Sequence, residues 1–331
     1  MSWDLIGHEW AIQLLRGHIV QDTLRHAYLI TGPVGIGKKN LALRFIQAIY
    51  CQDPVEPGIP CRGCKTCQNI ARLEYPDLFL VTVEEDSTQI KIDQIRELVH
   101  RFSLTPYIAS RKIGLLSNFE RANPHAQNSI LKTLEEPPGN SIMILTATTA
   151  DSLLDTITSR CEELKLNTVP ISISSKGLEK YHGIPADQAN FLAHISGGKP
   201  EVALNYHQEP AALELRENLL NDHHQILQNN SVERFAYASR FEKDPRMVGK
   251  VLDTWSSLWH DILLQAGKSQ APIQNIDKKN EITQITNKID LSTAQKTINS
   301  FRRAHLLLLD NANLKLTFED MLLQLPEIKD L

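Results

Sequence analysis

Gly32-Pro33-Val34-Gly35-Ile36-Gly37-Lys38-Lys39-Asn40 follows the apolar run Ala27-Tyr28-Leu29-Ile30 and precedes Leu41, Leu43, Phe45, Ile46 and Ile49. That order predicts a strand, a glycine turn and a helix. Glycines let the backbone curl so that successive N–H groups face one anion. The helix N-terminus adds positive potential, and Lys38 supplies a point charge. The pattern G-x-x-x-x-G-K-[ST] is met at Gly32, Gly37 and Lys38. It fails at its last position, where Lys39 replaces the hydroxyl that would hold Mg²⁺. Gly32, Gly35, Gly37, Lys38 and Lys39 are therefore the candidate phosphate- or nucleotide-binding residues of a degenerate P-loop.

Outward from this loop, Ile6 to Val20 has the apolar stripe of a helix, and the helix after the loop runs to about Tyr50. Asp77 to Val83, Ile113 to Leu116 and Ser141 to Thr146 read as buried strands. Ile92 to Phe102 and Ala126 to Leu134 carry helical spacing, the latter stopped by Pro137-Pro138. Strands alternating with helices imply right-handed crossovers and a mainly parallel sheet. From about Thr168 the pattern is almost wholly helical. Ser196-Gly197-Gly198-Lys199-Pro200 separates two helices, and Ala211 to Gln228 and Val232 to Gly267 are amphipathic. Gly267 to Asn280 reads as a polar loop. The run Leu306-Leu307-Leu308-Leu309 is expected to be a helix segment buried against its neighbours.

Four of the five cysteines, Cys51, Cys61, Cys64 and Cys67, are spaced C-x9-C-x2-C-x2-C. Thiolates two residues apart can bend around one ion, and four soft ligands in a tetrahedron suit Zn²⁺. A closed structural zinc site is preferred here over reduced, unliganded thiols or a disulfide. The expected zinc serves shape, since no histidine or carboxylate completes an open catalytic sphere.

The chain of 331 residues is 42% hydrophobic and 22% charged, with a formal net charge of -4. This is the composition of an ordinary folded protein with no overall nucleic-acid footprint. No apolar run approaches the ~20 residues of a membrane span, and Met1-Ser2-Trp3-Asp4-Leu5 has no signal-peptide pattern. A cytoplasmic protein with no membrane partner is expected.

Leu131-Lys132-Thr133-Leu134-Glu135-Glu136-Pro137-Pro138, with Ser159-Arg160-Cys161 after Ala147-Thr148-Thr149, resembles the clamp-loader branch of the AAA+ ATPases. Ile6-Gly7-His8, His26-Ala27-Tyr28-Leu29 and Asn311-Ala312-Asn313-Leu314-Lys315-Leu316 match as well. The four-cysteine module is similar to that shared by the gamma/tau and delta-prime subunits of bacterial DNA polymerase III. The resemblance implies an α/β AAA+ core over residues 1–166 with the zinc module 51–67 inserted. It further implies a small helical lid over 167–208 and a helical collar for assembly over 209–331. The implied partners are the gamma/tau and delta subunits, the sliding clamp and, through the complex, primed DNA in replication.

Departures from the active pattern indicate which kind of subunit this is. Aligned on the family's motif, the Walker B acids fall at Ser117 and Asn118, and the sensor 2 arginine falls at Glu201. Neither Ser nor Asn is an acid–base group at neutral pH. Glu120, two positions on, is not expected to take their place. An acid at 201 would repel a γ-phosphate. Arg160 is retained and is implied by the resemblance to be an arginine finger, acting in trans on a neighbour's ATP. These features together resemble the delta-prime type, a stator that hydrolyses no ATP of its own and for which nucleotide binding is left open. The competing enzyme reading is a gamma/tau-type ATPase with a divergent P-loop. Ser117, Asn118, Glu201 and the lack of a long tail beyond the collar oppose it. A free-standing zinc-dependent nucleic-acid module finds no basic stripe or aromatic platform near the cysteines.

Overall fold

The computed structural model of the chain describes residues 3–84, 87–241, 244–309 and 312–329. Met1, Ser2 and Asn311, quoted above, and the side chain of Leu309 lie outside them. Two compact units emerge. The first holds the described residues up to Ala186 together with Gly198–Val202, and the second holds Asp187–Gly197 and the residues from Ala203 onward.

The first unit is built on five strands: β1 (Ala27–Thr31), β2 (Leu78–Val81), β3 (Lys112–Leu116), β4 (Ser141–Ala147) and β5 (Glu162–Lys165). All pairings are parallel, in the order β2-β3-β4-β1-β5. The strands β1, β3 and β4 are buried along their whole length. This is why they read in the sequence as unbroken apolar runs rather than as alternation. The edge strand β5 buries only Leu164 fully. Its sequence Glu-Glu-Leu-Lys hides it from any search for apolar runs, and it is an addition to the sequence reading.

Around the sheet lie α1 (Glu9–Val20), α2 (Lys38–Tyr50), α3 (Lys65–Ala71), α4 (Ile92–Ser103), α5 (Pro124–Asn128), α6 (Leu131–Glu135), α7 (Asp155–Thr158) and α8 (Ile171–His182). Ile95, Leu98 and Phe102 on one face of α4 join Leu116, Met143 and Leu145 in a common core. A side chain on Gly114 would meet Leu98 and Phe102 at 2.9 Å, so α4 packs directly on the backbone of β3. The single helix expected over 126–134 is instead two short ones, α5 and α6. Between them the Ser129 hydroxyl donates to Ala126 O at 2.6 Å, offering the backbone a local alternative to continued helix.

The second unit is helical: α9 (Ala186–Ile195, whose first residue closes the first unit), α10 (Pro200–Gln208, beginning in the first unit), α11 (Pro210–Gln228), α12 (Ser231–Ser239), α13 (Pro245–Ala266), α14 (Lys279–Thr286), α15 (Leu291–Leu309) and α16 (Leu314–Leu323). Trp255, Trp259, Leu220, Ile282 and Phe318 anchor its core. The buried Arg234 donates to the carbonyls of Ile226, Asn229, Leu322, Leu325 and Pro326, tying the ends of α11 and α16 to α12. The leucine run on α15 departs from expectation. Leu306 is 57% exposed and Leu307 and Leu308 are half-buried, because four consecutive helical positions cannot all face one core. No helix among the described residues is long and apolar enough to cross a membrane.

Candidate functional site

The glycine loop leaves the C-terminal end of β1, where Gly32 N–H donates to Ala147 O at 3.2 Å and Thr148 O at 3.1 Å. Gly35 and Gly37 have φ of +78° and +103°, a region open to glycine and costly for other residues. Gly37 stands at the N-cap of α2 with no side chain to satisfy the first N–H groups. Lys38 is buried, and its Nζ donates to Gly32 O at 2.6 Å and Pro33 O at 2.9 Å. Burial pulls the Lys38 pKa below its ordinary value, and the carboxylates of Glu120 and Glu201 resist that shift. Lys39 is exposed. Gly32, Gly35, Gly37 and Lys38 are thus brought together as a phosphate-type loop, with Lys39 on its outer side.

The parallel strands β3 and β4 finish at the same end of the sheet. Ser117 is buried, its N–H bonded to Val81 O at 2.8 Å. Asn118 turns left-handed at φ 54° and donates its N–H to Thr146 Oγ1 at 2.9 Å. Neither residue carries a charge to this end. Two carboxylates nevertheless do. Glu120, in the turn Phe119–Arg121, acts on Lys38, and its Oε2 is buried without a hydrogen-bond partner among the described residues. Glu201 accepts from Asn40 Nδ2 at 2.9 Å. Burial raises the Glu201 pKa above the usual carboxylate range, opposed by Lys38, the Gly37 N–H and Lys39. The sequence reading set Glu120 aside. Its only signal was that it is the nearest acid to the end of β3.

Arg160 lies at the opposite end of the strands. It ends the turn after α7, and β5 then starts at Glu162, opposite Tyr28 near the beginning of β1. Because β5 and β1 are parallel, the length of β1 separates Arg160 from the glycine loop, roughly 15 Å at 3.3 Å per residue. Arg160 Nη1 donates to Thr156 O at 2.8 Å and Nη2 to Glu135 Oε1 at 2.7 Å. The Arg160 side chain is 35% exposed.

The four cysteines converge as their spacing suggested, with their sulfur atoms all within 4.8 Å of one another. Cys51 Sγ and Cys61 Sγ are 3.6 Å apart. This is far beyond a disulfide bond and close to the ~3.8 Å that four Zn–S bonds of 2.3 Å impose on a tetrahedron. Backbone N–H groups of Cys61, Cys64 and Cys67 donate to the sulfurs of Cys51, Cys61 and Cys64 at 3.3, 3.3 and 3.4 Å. Such donors favour thiolates. At Cys64, burial acts against the thiolate, but the Cys67 N–H and the thiols of Cys61 and Cys67 prevail and bring its pKa to about 7. Cys64 also caps α3, and Gln47 Nε2 joins α2 to Cys67 O at 2.7 Å. The donor set and geometry fit a four-coordinate metal ion held for structure. The fifth cysteine, Cys161, stands outside this group, its thiol pushed up to about 12 by burial.

A five-stranded parallel sheet in the order β2-β3-β4-β1-β5, with a glycine loop between β1 and α2, defines the class: an α/β core of P-loop type, here with a cysteine cluster inserted and a helical region following. The family profile described as "DNA polymerase III, delta subunit" matches residues 7–170. The chain is 37% identical over 186 residues to DNA polymerase III subunit delta' of Pseudomonas aeruginosa, covering 55% of this chain and 56% of that relative. It is 34% identical over 193 residues to subunit delta' of Bacillus subtilis, covering 58% and 56%. To DNA polymerase III subunit gamma of Buchnera aphidicola it is 29% identical over 234 residues, covering 69% and 59%. The matched stretches span somewhat more than half the length of these relatives. Over residues 7–170 the chain is similar to DNA polymerase III clamp-loader subunits.

Proposed function

We propose that this chain is a delta-prime-type stator of the clamp loader: it hydrolyses no ATP itself and completes a neighbour's ATP site with Arg160. The observation that carries the reading is the distribution of chemistry over the two ends of the strands. Where the strands end, Ser117 and Asn118 occupy the positions at which one carboxylate would associate with Mg²⁺ and another would orient the attacking water. Lys39 likewise replaces the Mg²⁺-binding hydroxyl. Where the strands begin, Arg160 is accessible to solvent and remote from its own glycine loop. A phosphate that it serves belongs to another chain. A guanidinium suits that task, being permanently charged with a planar fork of donors.

In this reading residues 1–166 form the ATPase-like core, 167–208 the lid and 209–331 the collar through which subunits assemble. The partners are gamma/tau, delta and the sliding clamp, with primed DNA reached through the complex, in the cytoplasm. Zn²⁺ is the ion proposed for Cys51, Cys61, Cys64 and Cys67. A loader reconstituted from the other subunits without this chain is expected to lose clamp loading onto primed DNA. It should regain loading when the full chain is added. Equal loading in both preparations would contradict the assignment.

A further inference from the structure

Glu201 and Val202 lie against the glycine loop within the first unit. Glu201 N–H donates to Gly35 O at 3.0 Å, and Glu201 Oε1 accepts from Asn40 Nδ2 at 2.9 Å. Val202 Cγ2 stands 2.5 Å from where a side chain on Gly35 would begin. Asn40 is in the first turn of α2, so the Glu201 carboxylate stands beside that helix end, where the first N–H groups lack intrahelical partners and the N-cap Gly37 N–H acts on it. That is the seat a nucleotide phosphate takes in such a loop. Lys38, the other usual phosphate ligand, already donates to Gly32 O and Pro33 O. Its charge is faced by Glu120 as well as by Glu201.

We propose that Glu201 is the resident anion of the glycine loop, its carboxylate holding the place of a nucleotide phosphate, so that the loop is self-liganded and closed to ATP. A phosphate entering the loop must displace Glu201 from Asn40, draw Lys38 away from two carbonyls and remain beside a second carboxylate, Glu120. The lysine at position 39 does not offset this, since it is exposed and its charge is shared with water. The proposal concerns binding by this chain, whereas the function proposed above concerns hydrolysis and Arg160. Either can fail without the other.

The test is calorimetric titration of the full zinc-containing chain with ATP and, separately, with inorganic pyrophosphate, both without Mg²⁺. The wild type is expected to show no saturable binding up to about 1 mM. Glu201→Ala is expected to bind pyrophosphate at least about tenfold more tightly than the wild type. That gain should disappear in Glu201→Ala combined with Lys38→Ala. Glu201→Gln keeps the side chain's size and an acceptor for Asn40 while removing the charge, and is expected to move the same way by less. Circular dichroism and zinc content establish that the variants are folded. Wild-type binding as tight as that of Glu201→Ala, or no gain in either single variant, overturns the proposal.

Discussion

Replacing Arg160 with alanine is expected to slow ATP hydrolysis by a factor on the order of 10³ at the neighbouring site it faces, the low end of what a trans-acting arginine supplies in phosphoryl transfer. This corresponds to about 4 kcal/mol of transition-state stabilisation. The effect on this chain's own stability should be small by comparison. The pair with Glu135 is partly exposed on both sides, at 35% and 51%, and such pairs contribute about 1 kcal/mol or less. The variant should therefore fold, bind its metal and enter the complex as the wild type does. Arg160→Lys keeps a positive charge but loses the planar fork, so it is expected to recover only part of the rate. DNA-stimulated single-turnover hydrolysis by the reconstituted loader reads these differences. A rate unchanged by Arg160→Ala would refute the finger.

Removing the metal is expected to have the largest effect on stability. Metal analysis of the protein purified without chelator should find one zinc per chain, and Cys64→Ala should abolish it. Cys64 contributes twice, as a ligand candidate and as the N-cap that accepts the Cys67 N–H. Losing a cap alone costs about 1 kcal/mol, and losing a structural metal costs more. Together these predict a thermal midpoint lower by roughly 10 °C, at a few degrees per kcal/mol. Unfolding should begin in the inserted module and spread to its contacts, which include Trp3 Nε1 with Gly58 O at 2.9 Å, Arg16 with Glu56 at 2.9 Å, and Gln47 with Cys67 O. Hydrogen exchange on the chelated protein should rise first across residues 51–71. A chain without zinc, or a midpoint unaffected by chelation, would dispose of the metal site.

The glycine loop and the cysteine cluster were legible in the sequence because each is a local pattern whose spacing is set by its own chemistry. The buried strands β1, β3 and β4 were legible as apolar runs for a similar reason. The strand β5 was not, since a single buried residue, Leu164, leaves no period to detect. The leucines from 306 misled because composition records hydrophobicity and not which way a helix turns. At the site, alignment gave the position of Glu201 but not its contact with Asn40, 161 residues away in sequence. The effect of Glu120 on Lys38 likewise depends on where the turn after β3 lies, which no local sequence pattern records. Sequence therefore showed that two uncharged residues, Ser117 and Asn118, follow β3. It did not show that the chain's own carboxylates face the loop lysine.

Whether this chain hydrolyses ATP itself decides between the stator and the ATPase. Steady-state ATP turnover by the purified full chain, with Mg²⁺ and primed DNA present, tests it most directly. No turnover above background and no change on Lys38→Ala are expected, because Ser117 and Asn118 put no carboxylate at the end of β3 and Lys39 stands where the loop's metal-binding hydroxyl would be. Turnover that Lys38→Ala abolishes would contradict the stator.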